Sequence, residues 1–260
     1  MKKFIKNYKR YNPYALYAAK SELKAEVASS YLTWLWWILD PLFYMFIYSF
    51  IVEVVFDNSV VNLPVFVMCG ITLWNFFNKN LLTCVKIIRS NKGIISQKYI
   101  PKYMLIIEKL YVNFIKFLIS SILLILMAII FKIHITINIL YIVPLIVLIT
   151  LLSFGLSTIL AHFGVFIEDS ANILQIILRF VFYLSGIFYS ISEKLPGTFC
   201  NVMMKVNPIA YLIEDFRNVF MYGMRLNFHL YFYWFIIALV ICIVAIKLIH
   251  KYENSYAKVM

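Results

Sequence analysis

The chain has 260 residues, 63% of them hydrophobic and 14% charged, with a mean hydropathy of +0.87. That balance excludes an ordinary water-soluble domain, because several apolar runs reach the ~20 residues a helix needs to cross a bilayer. The formal charge of +12 does not point to nucleic acid, since Lys and Arg stand in short blocks beside hydrophobic runs, the pattern that orients a membrane protein.

MKKFIKNYKRYNPY starts like a signal peptide but lacks an apolar centre, so the segment is expected to be retained. From Tyr14 to Ser30, Leu16, Ala19, Leu23 and Val27 recur at spacings of three and four, opposite Lys20, Glu22, Lys24 and Glu26. This reads as an amphipathic helix on the membrane surface, the alternative being a soluble helix packed on another domain. Tyr31, Trp34, Trp36 and Trp37 follow, amphipathic rings that settle at the headgroup level. Asp40-Pro41 is either a cap with proline at the first helical position or a kink in one longer helix.

Six spans are predicted, at about 36–56, 63–85, 104–131, 139–163, 172–190 and 230–249, with a short turn, DNSVVN, between the first two. Glu108, Lys109 and Lys116 lie toward the loop end of the third, where long side chains can snorkel. Six crossings put both termini on one side. That side carries sixteen Lys and Arg against five on the other, which assigns it to the cytoplasm.

Residues 191–227 are too polar to span and too apolar for a plain loop. Asn207-Pro208 reads as an N-cap and first helical residue, followed by a stripe of Ile209, Leu212, Ile213, Phe216, Val219 and Phe220 that Gly223 closes. Two short helices dipping into the outer leaflet are expected, with Glu214 and Arg217 meeting on the wetter face. The alternative is one amphipathic helix lying flat outside.

No GxxxxGK[ST] phosphate loop, zinc cluster, G-x-S-x-G turn or facing pair of intramembrane carboxylates occurs, so no catalytic or metal-binding residue is assigned. His134, His162, His229 and His250 fall at or near span ends, and the four cysteines form neither a disulfide framework nor a metal spacing. The 86–103 loop, KIIRSNKGIISQKYIPKY, is basic with no acid. Ile87, Ile88, Ile94 and Ile95 can form an apolar face among Lys86, Arg89, Lys92 and Lys98, suited to a groove in a cytoplasmic partner or to anionic lipid. Arg179 stands well inside a span, a costly place, where it reads as meeting either a phosphate or the inner headgroups.

Four segments together carry a family resemblance: LKAEVASSYLTWLWWILDP (Leu23 to Pro41), GITLWNFFNKN (Gly70 to Asn80), the basic loop ending in YIPKY, and NPIAYLIEDFRNVFMYG (Asn207 to Gly223). In order and spacing the chain resembles the membrane-spanning permease subunit of type-2 ABC exporters of polysaccharide, O-antigen or capsule, or of teichoic acid. The resemblance implies an all-α polytopic membrane protein that is one permease domain over 1–260. It would have six transmembrane helices, a cytoplasmic interface helix at 1–33, a coupling loop at 86–103 and two re-entrant helices in an outer gate-like segment at 191–227.

It further implies a chain without its own nucleotide site or cofactor, ATP and Mg belonging to a separate cytoplasmic ABC ATPase. A second copy of the chain, a lipid-linked polymer substrate and membrane lipid are the other implied partners, in a bacterial cytoplasmic membrane with both termini inside. Coupling is expected at Ile87, Ile88, Arg89, Ile94 and Ile95. The substrate path is expected at Tyr31, Trp34, Trp37, Phe43, Arg179, Phe180, Tyr183 and Tyr189, and the outer gate at Asn207, Pro208, Phe216 and Arg217. For most of the aromatics an interfacial belt or bundle core is the competing assignment. Competing functions are a type-2 exporter of a drug or other small molecule, a membrane-embedded glycosyl- or phosphotransferase, and a secondary transporter, the last two lacking the motifs or repeats they need.

Overall fold

The computed structural model describes residues 2–29, 32–55, 61–97, 99–194 and 196–259. Among them the regular structure is helical: α1 (Lys2–Ser29), α2 (Thr33–Phe50), α3 (Leu63–Cys84), α4 (Ile87–Ser90), α5 (Lys92–Gln97), α6 (Lys102–Ile130), α7 (Ile142–Phe166), α8 (Ser170–Leu184), α9 (Ile191–Lys194), α10 (Gly197–Val206), α11 (Pro208–Phe220) and α12 (Phe228–Val259). A wide π-type turn extends α2 over Ile51–Val55, and a 3-10 turn at Ile137–Tyr141 leads into α7. The predicted DNSVVN turn lies mostly outside the described residues.

Four of these segments are long and apolar enough to cross a membrane: Thr33–Val54, Lys102–Ile130, Ile137–Phe166 and Phe228–Glu253. The other two predicted spans differ. α3 has 22 residues, about 33 Å of helix, but Asn75, Asn78, Lys79 and Asn80 lower its hydropathy. α8 stops at Leu184 after 15 residues, about 22 Å, short of the predicted end at 190, because the chain turns at Ser185 and Gly186, where φ is +67°. α12 runs on past the predicted end at 249, so the basic tail is helical rather than loose.

α1 begins earlier than predicted and lies against α6. Glu22 accepts from Lys109 at 2.5 Å and Glu26 pairs with Lys116 at 2.7 Å. The two lysines are therefore held by the surface helix, because opposite charges lie within reach across the two helices. Helix α2 continues through Asp40-Pro41, with Pro41 buried inside it, so the pair belongs to one longer helix and is not a cap.

α3 is buried along most of its length between α2, α6 and α7. A buried amide pair ties it to α6: Asn113 Nδ2 donates to Asn80 Oδ1 at 2.9 Å, and Asn80 Nδ2 to the Phe76 carbonyl at 2.7 Å. α12 packs along α7, where Gly155 lies so close to Ile241 and Cys242 that a Cβ would fall 2.8 Å from the Ile241 side chain. The bundle has two unlike ends. At one, α1, the α4–α5 loop, the turn between α7 and α8 and the tail of α12 gather, joined by Tyr99 to Glu253 and His162 to Tyr256. At the other, α11, with α9 and α10 packed on it, covers the start of α3 and α7.

Candidate functional site

Between α2, α3 and α8 lies a cleft of about 590 Å³. α2 contributes Asp40, Tyr44 and Tyr48; α3 contributes Ile71, Trp74, Asn75, Asn78, Lys79 and Leu82; α8 contributes Gln175, Leu178, Arg179, Phe182 and Tyr183. Its lining is graded along the helices. Asp40, Asn78, Lys79, Gln175 and Arg179 lie toward the α1 end, and the rings lie further along. Trp74 and Phe182 meet at 5.3 Å, Tyr48 and Phe182 at 5.9 Å, and Tyr48 and Phe188 at 4.1 Å. Asp40, Lys79 and Arg179 make no ion pair within 4.0 Å among the described residues. Among the described residues two cations thus face one cleft without an ion pair, Asp40 being the acid of the same lining, while Lys109 and Lys116 are paired.

Of the eight residues expected on the substrate path, Arg179 and Tyr183 line this cleft. Tyr189 stands beyond its far end, its hydroxyl donating to the Tyr183 carbonyl at 3.3 Å. Trp37 faces a narrow crevice on the other side of Lys79, 5.3 Å from Lys116 Nζ. Trp34, Phe43 and Phe180 are exposed and do not line it, and Tyr31 is outside the described residues. Lys79, Asp40, Trp74 and the two asparagines were missed. A signal existed, since Asn75, Asn78 and Lys79 are spaced i, i+3 and i+4 and so share one helical face.

At the far end the predicted cap is present: Asn207 Oδ1 accepts from the Ile209 and Ala210 amides at 3.0 and 3.2 Å, with Pro208 at the first helical position. The expected wetter face is absent, which corrects the reading of Glu214 and Arg217. α11 is covered on all sides, and Arg217 is 1% exposed. Its Nε donates to the Phe66 carbonyl at 3.0 Å, Nη1 to Gly186 and Nη2 to Ile187, both at 2.7 Å, and the guanidinium lies 3.4 Å over the Phe66 ring. Burial pulls the Arg217 guanidinium down to about 10, still charged at neutral pH. Gly70, which opens the second quoted segment, makes room for it: a Cβ there would sit 2.9 Å from Nη2 and 3.2 Å from Ile187.

Glu214 accepts from the Ser190 and Ser192 hydroxyls and lies 3.9 Å from Arg217. Burial pushes the Asp215 carboxyl up, against the Asn227 amide that donates to it at 3.1 Å. Phe216 is buried and stacks on Phe220.

In the 86–103 loop, Ile87 and Ile88 point into the core, at 2% and 0% exposure, so they are not presented to a partner as expected. The reason is that α4 tucks against α6 and α7. Arg89 is likewise engaged: Nε donates to the Val165 carbonyl at 3.1 Å and Nη1 to Glu168 at 3.4 Å. Ile95 is half-buried against the core, which leaves Ile94, 44% exposed, as the outward apolar residue of the four.

A family pattern described as ABC-2 type transporter matches residues 16–221. The chain belongs to that family. It is similar to two proteins of Klebsiella pneumoniae, each named O-antigen export system permease protein RfbA, at 23% and 24% identity over 240 residues, covering 92% of both chains in each comparison. A Myxococcus xanthus protein of the same name is 23% identical over 221 residues, 85% of each chain. The protein is thus the multi-pass membrane permease of a type-2 ABC exporter, a transport subunit in a family that works with an ABC ATPase.

Proposed function

We propose that this permease moves a lipid-linked polysaccharide across the bacterial cytoplasmic membrane, and that the cleft between α2, α3 and α8 receives the phosphate-bearing end of that lipid. The observation that carries the reading is the pair Lys79 and Arg179, two cations in one cleft with no ion pair within 4.0 Å among the described residues. A charge inside a membrane protein is costly unless it has a partner, and an anionic substrate group is a partner that arrives and leaves. The rings of Tyr44, Tyr48, Trp74 and Phe182 beyond it offer weak, similar surfaces on which successive sugars can stack. The relatives' name, O-antigen export permease, supports a polysaccharide over a small molecule.

In this reading α3 and α8 complete six crossings, both termini and the α4–α5 loop face the cytoplasm, and α9, α10 and α11 form the outer gate. Two copies of the chain face each other with two copies of the ATPase, whose contact centres on Ile94.

The test is export in cells carrying Lys79→Gln and Arg179→Gln, with surface polymer and the lipid-linked intermediate both quantified. Each loses charge-assisted bonds of about 1.5–3 kcal/mol, so polymer at the surface should fall roughly tenfold or more while the intermediate accumulates inside. Lys79→Arg should retain most export. Wild-type export by both glutamine variants, at equal protein level, would remove the cleft from the path.

A further inference from the structure

A second cavity shares no lining residue with the cleft. It is a groove of about 640 Å³ between α6, α7 and α12, bounded by Ile107 and Phe114, Ile146 and Phe154, and Leu239 and Ile246. On each helix it runs seven or eight residues, about 10–12 Å, comparable to one half of a ~30 Å hydrocarbon core. On α7 and α12 the polar side-chain atoms of its wall are turned to backbone. Thr150 Oγ1 donates to the Ile146 carbonyl at 2.7 Å, and Cys242 Sγ to the Leu151 carbonyl at 3.2 Å. A hydrocarbon chain fits such a surface without leaving a polar group unsatisfied.

The groove has one polar end. There Phe4 and Tyr8 of α1 close over it, the Tyr8 and Tyr111 hydroxyls meet at 2.9 Å, and Tyr111 donates to Asn12 at 2.7 Å. α1 carries six basic residues and no acid before Glu22, and its Lys6, Lys9 and Arg10 are exposed. Clusters of exposed Lys and Arg on an amphipathic helix attract anionic headgroups.

We propose that this groove holds one acyl chain of an anionic phospholipid whose headgroup is met by Lys9 and Arg10 of α1. The bound lipid is a fixed part of the permease, separate from the transported one, and it seats the N-terminal helix on the bundle. Its placement in the inner leaflet rests on the orientation proposed above, but its existence does not.

The permease is purified in detergent, washed extensively, and its retained phospholipid identified by native mass spectrometry and phosphate assay. About one anionic phospholipid per chain is expected. Val147→Trp, which fills the groove from its open side, should lose it. Lys9→Glu with Arg10→Glu, both on the exposed side of α1, should cut the preference for anionic over zwitterionic lipid about tenfold or more without touching the core. A photoreactive residue at Ile243, in the groove, should cross-link the anionic lipid, whereas one at Val240, outside it, should capture lipid without regard to headgroup.

Equal retention by wild type and Val147→Trp overturns the proposal, as does retention without headgroup preference, or cross-linking from Ile243 to a second copy of the chain. None of these readouts needs transport, so the export reading stands or falls separately.

Discussion

Arg217 holds three backbone carbonyls from two distant stretches of chain, one at the start of α3 and two in the elbow after α8. A lysine at this place has one compact ammonium and cannot serve three carbonyls in a fork. Arg217→Lys should therefore destabilise the protein by about 2–4 kcal/mol through the acceptors left unpaired, lowering the melting temperature in detergent. An unchanged melting curve would show that the network does not hold the outer end together. Gly70→Ala should act in the same direction but less, since its Cβ would press on the Arg217 guanidinium and on Ile187. The sequence spacing of Glu214 and Arg217 correctly said that the two meet, at 3.9 Å, yet not that both are buried. A residue three positions on reports which side chains share a helical face. It carries no information on whether another element covers that face.

At the scale of elements, α11 was the most legible, because capping is local chemistry: Asn207 and Pro208 meet the first free amides wherever the helix is placed. Asn207→Ala should cost about 1 kcal/mol, seen as faster hydrogen exchange at Ile209 and Ala210. The α4–α5 loop was legible only in part. Ile87, Ile88, Ile94 and Ile95 among basic residues announce an apolar face, but two of them, Ile87 and Ile88, are claimed by α6 and α7, and their sequence neighbourhood looks the same as that of Ile94. The two kinds of isoleucine should separate in experiment. Ile94→Asp should leave the melting temperature close to wild type and weaken co-purification with the ATPase, whereas Ile87→Asp buries a charge without a partner and should abolish accumulation of the folded protein. Normal ATPase recovery and export with Ile94→Asp would take the contact elsewhere.

For the whole molecule, the predicted spans located the four most apolar helices within a few residues, as bilayer length and apolar composition demand. α3 and α8 were harder to read because each has a polar or short face turned to the cleft rather than to lipid. Lys79 shows this directly: it looks like a residue at a span end, and the helix carries it onto the wall of a shared cavity. Orientation is tested by labelling in a background without native cysteines. A cysteine at Gln97 should react only from the cytoplasm and one at Thr198 only from outside. Reaction of Gln97 from outside would reverse the assignment made from the basic residues.

Arg89 links the α4–α5 loop sideways to the final turn of α7 and to Glu168, two residues before α8 begins. A push on α5 therefore has a surface route to the base of α8 that bypasses the buried core, and α8 is one wall of the cleft. Were a partner to displace the loop, as the proposed coupling has it, the Arg89 link would act as a short crank on α8, the helix that carries Phe182 and Tyr183. A bundle whose interior is close-packed changes shape little. Leverage applied at its rim would tilt α8 while α3, α6, α7 and α12 keep their packing.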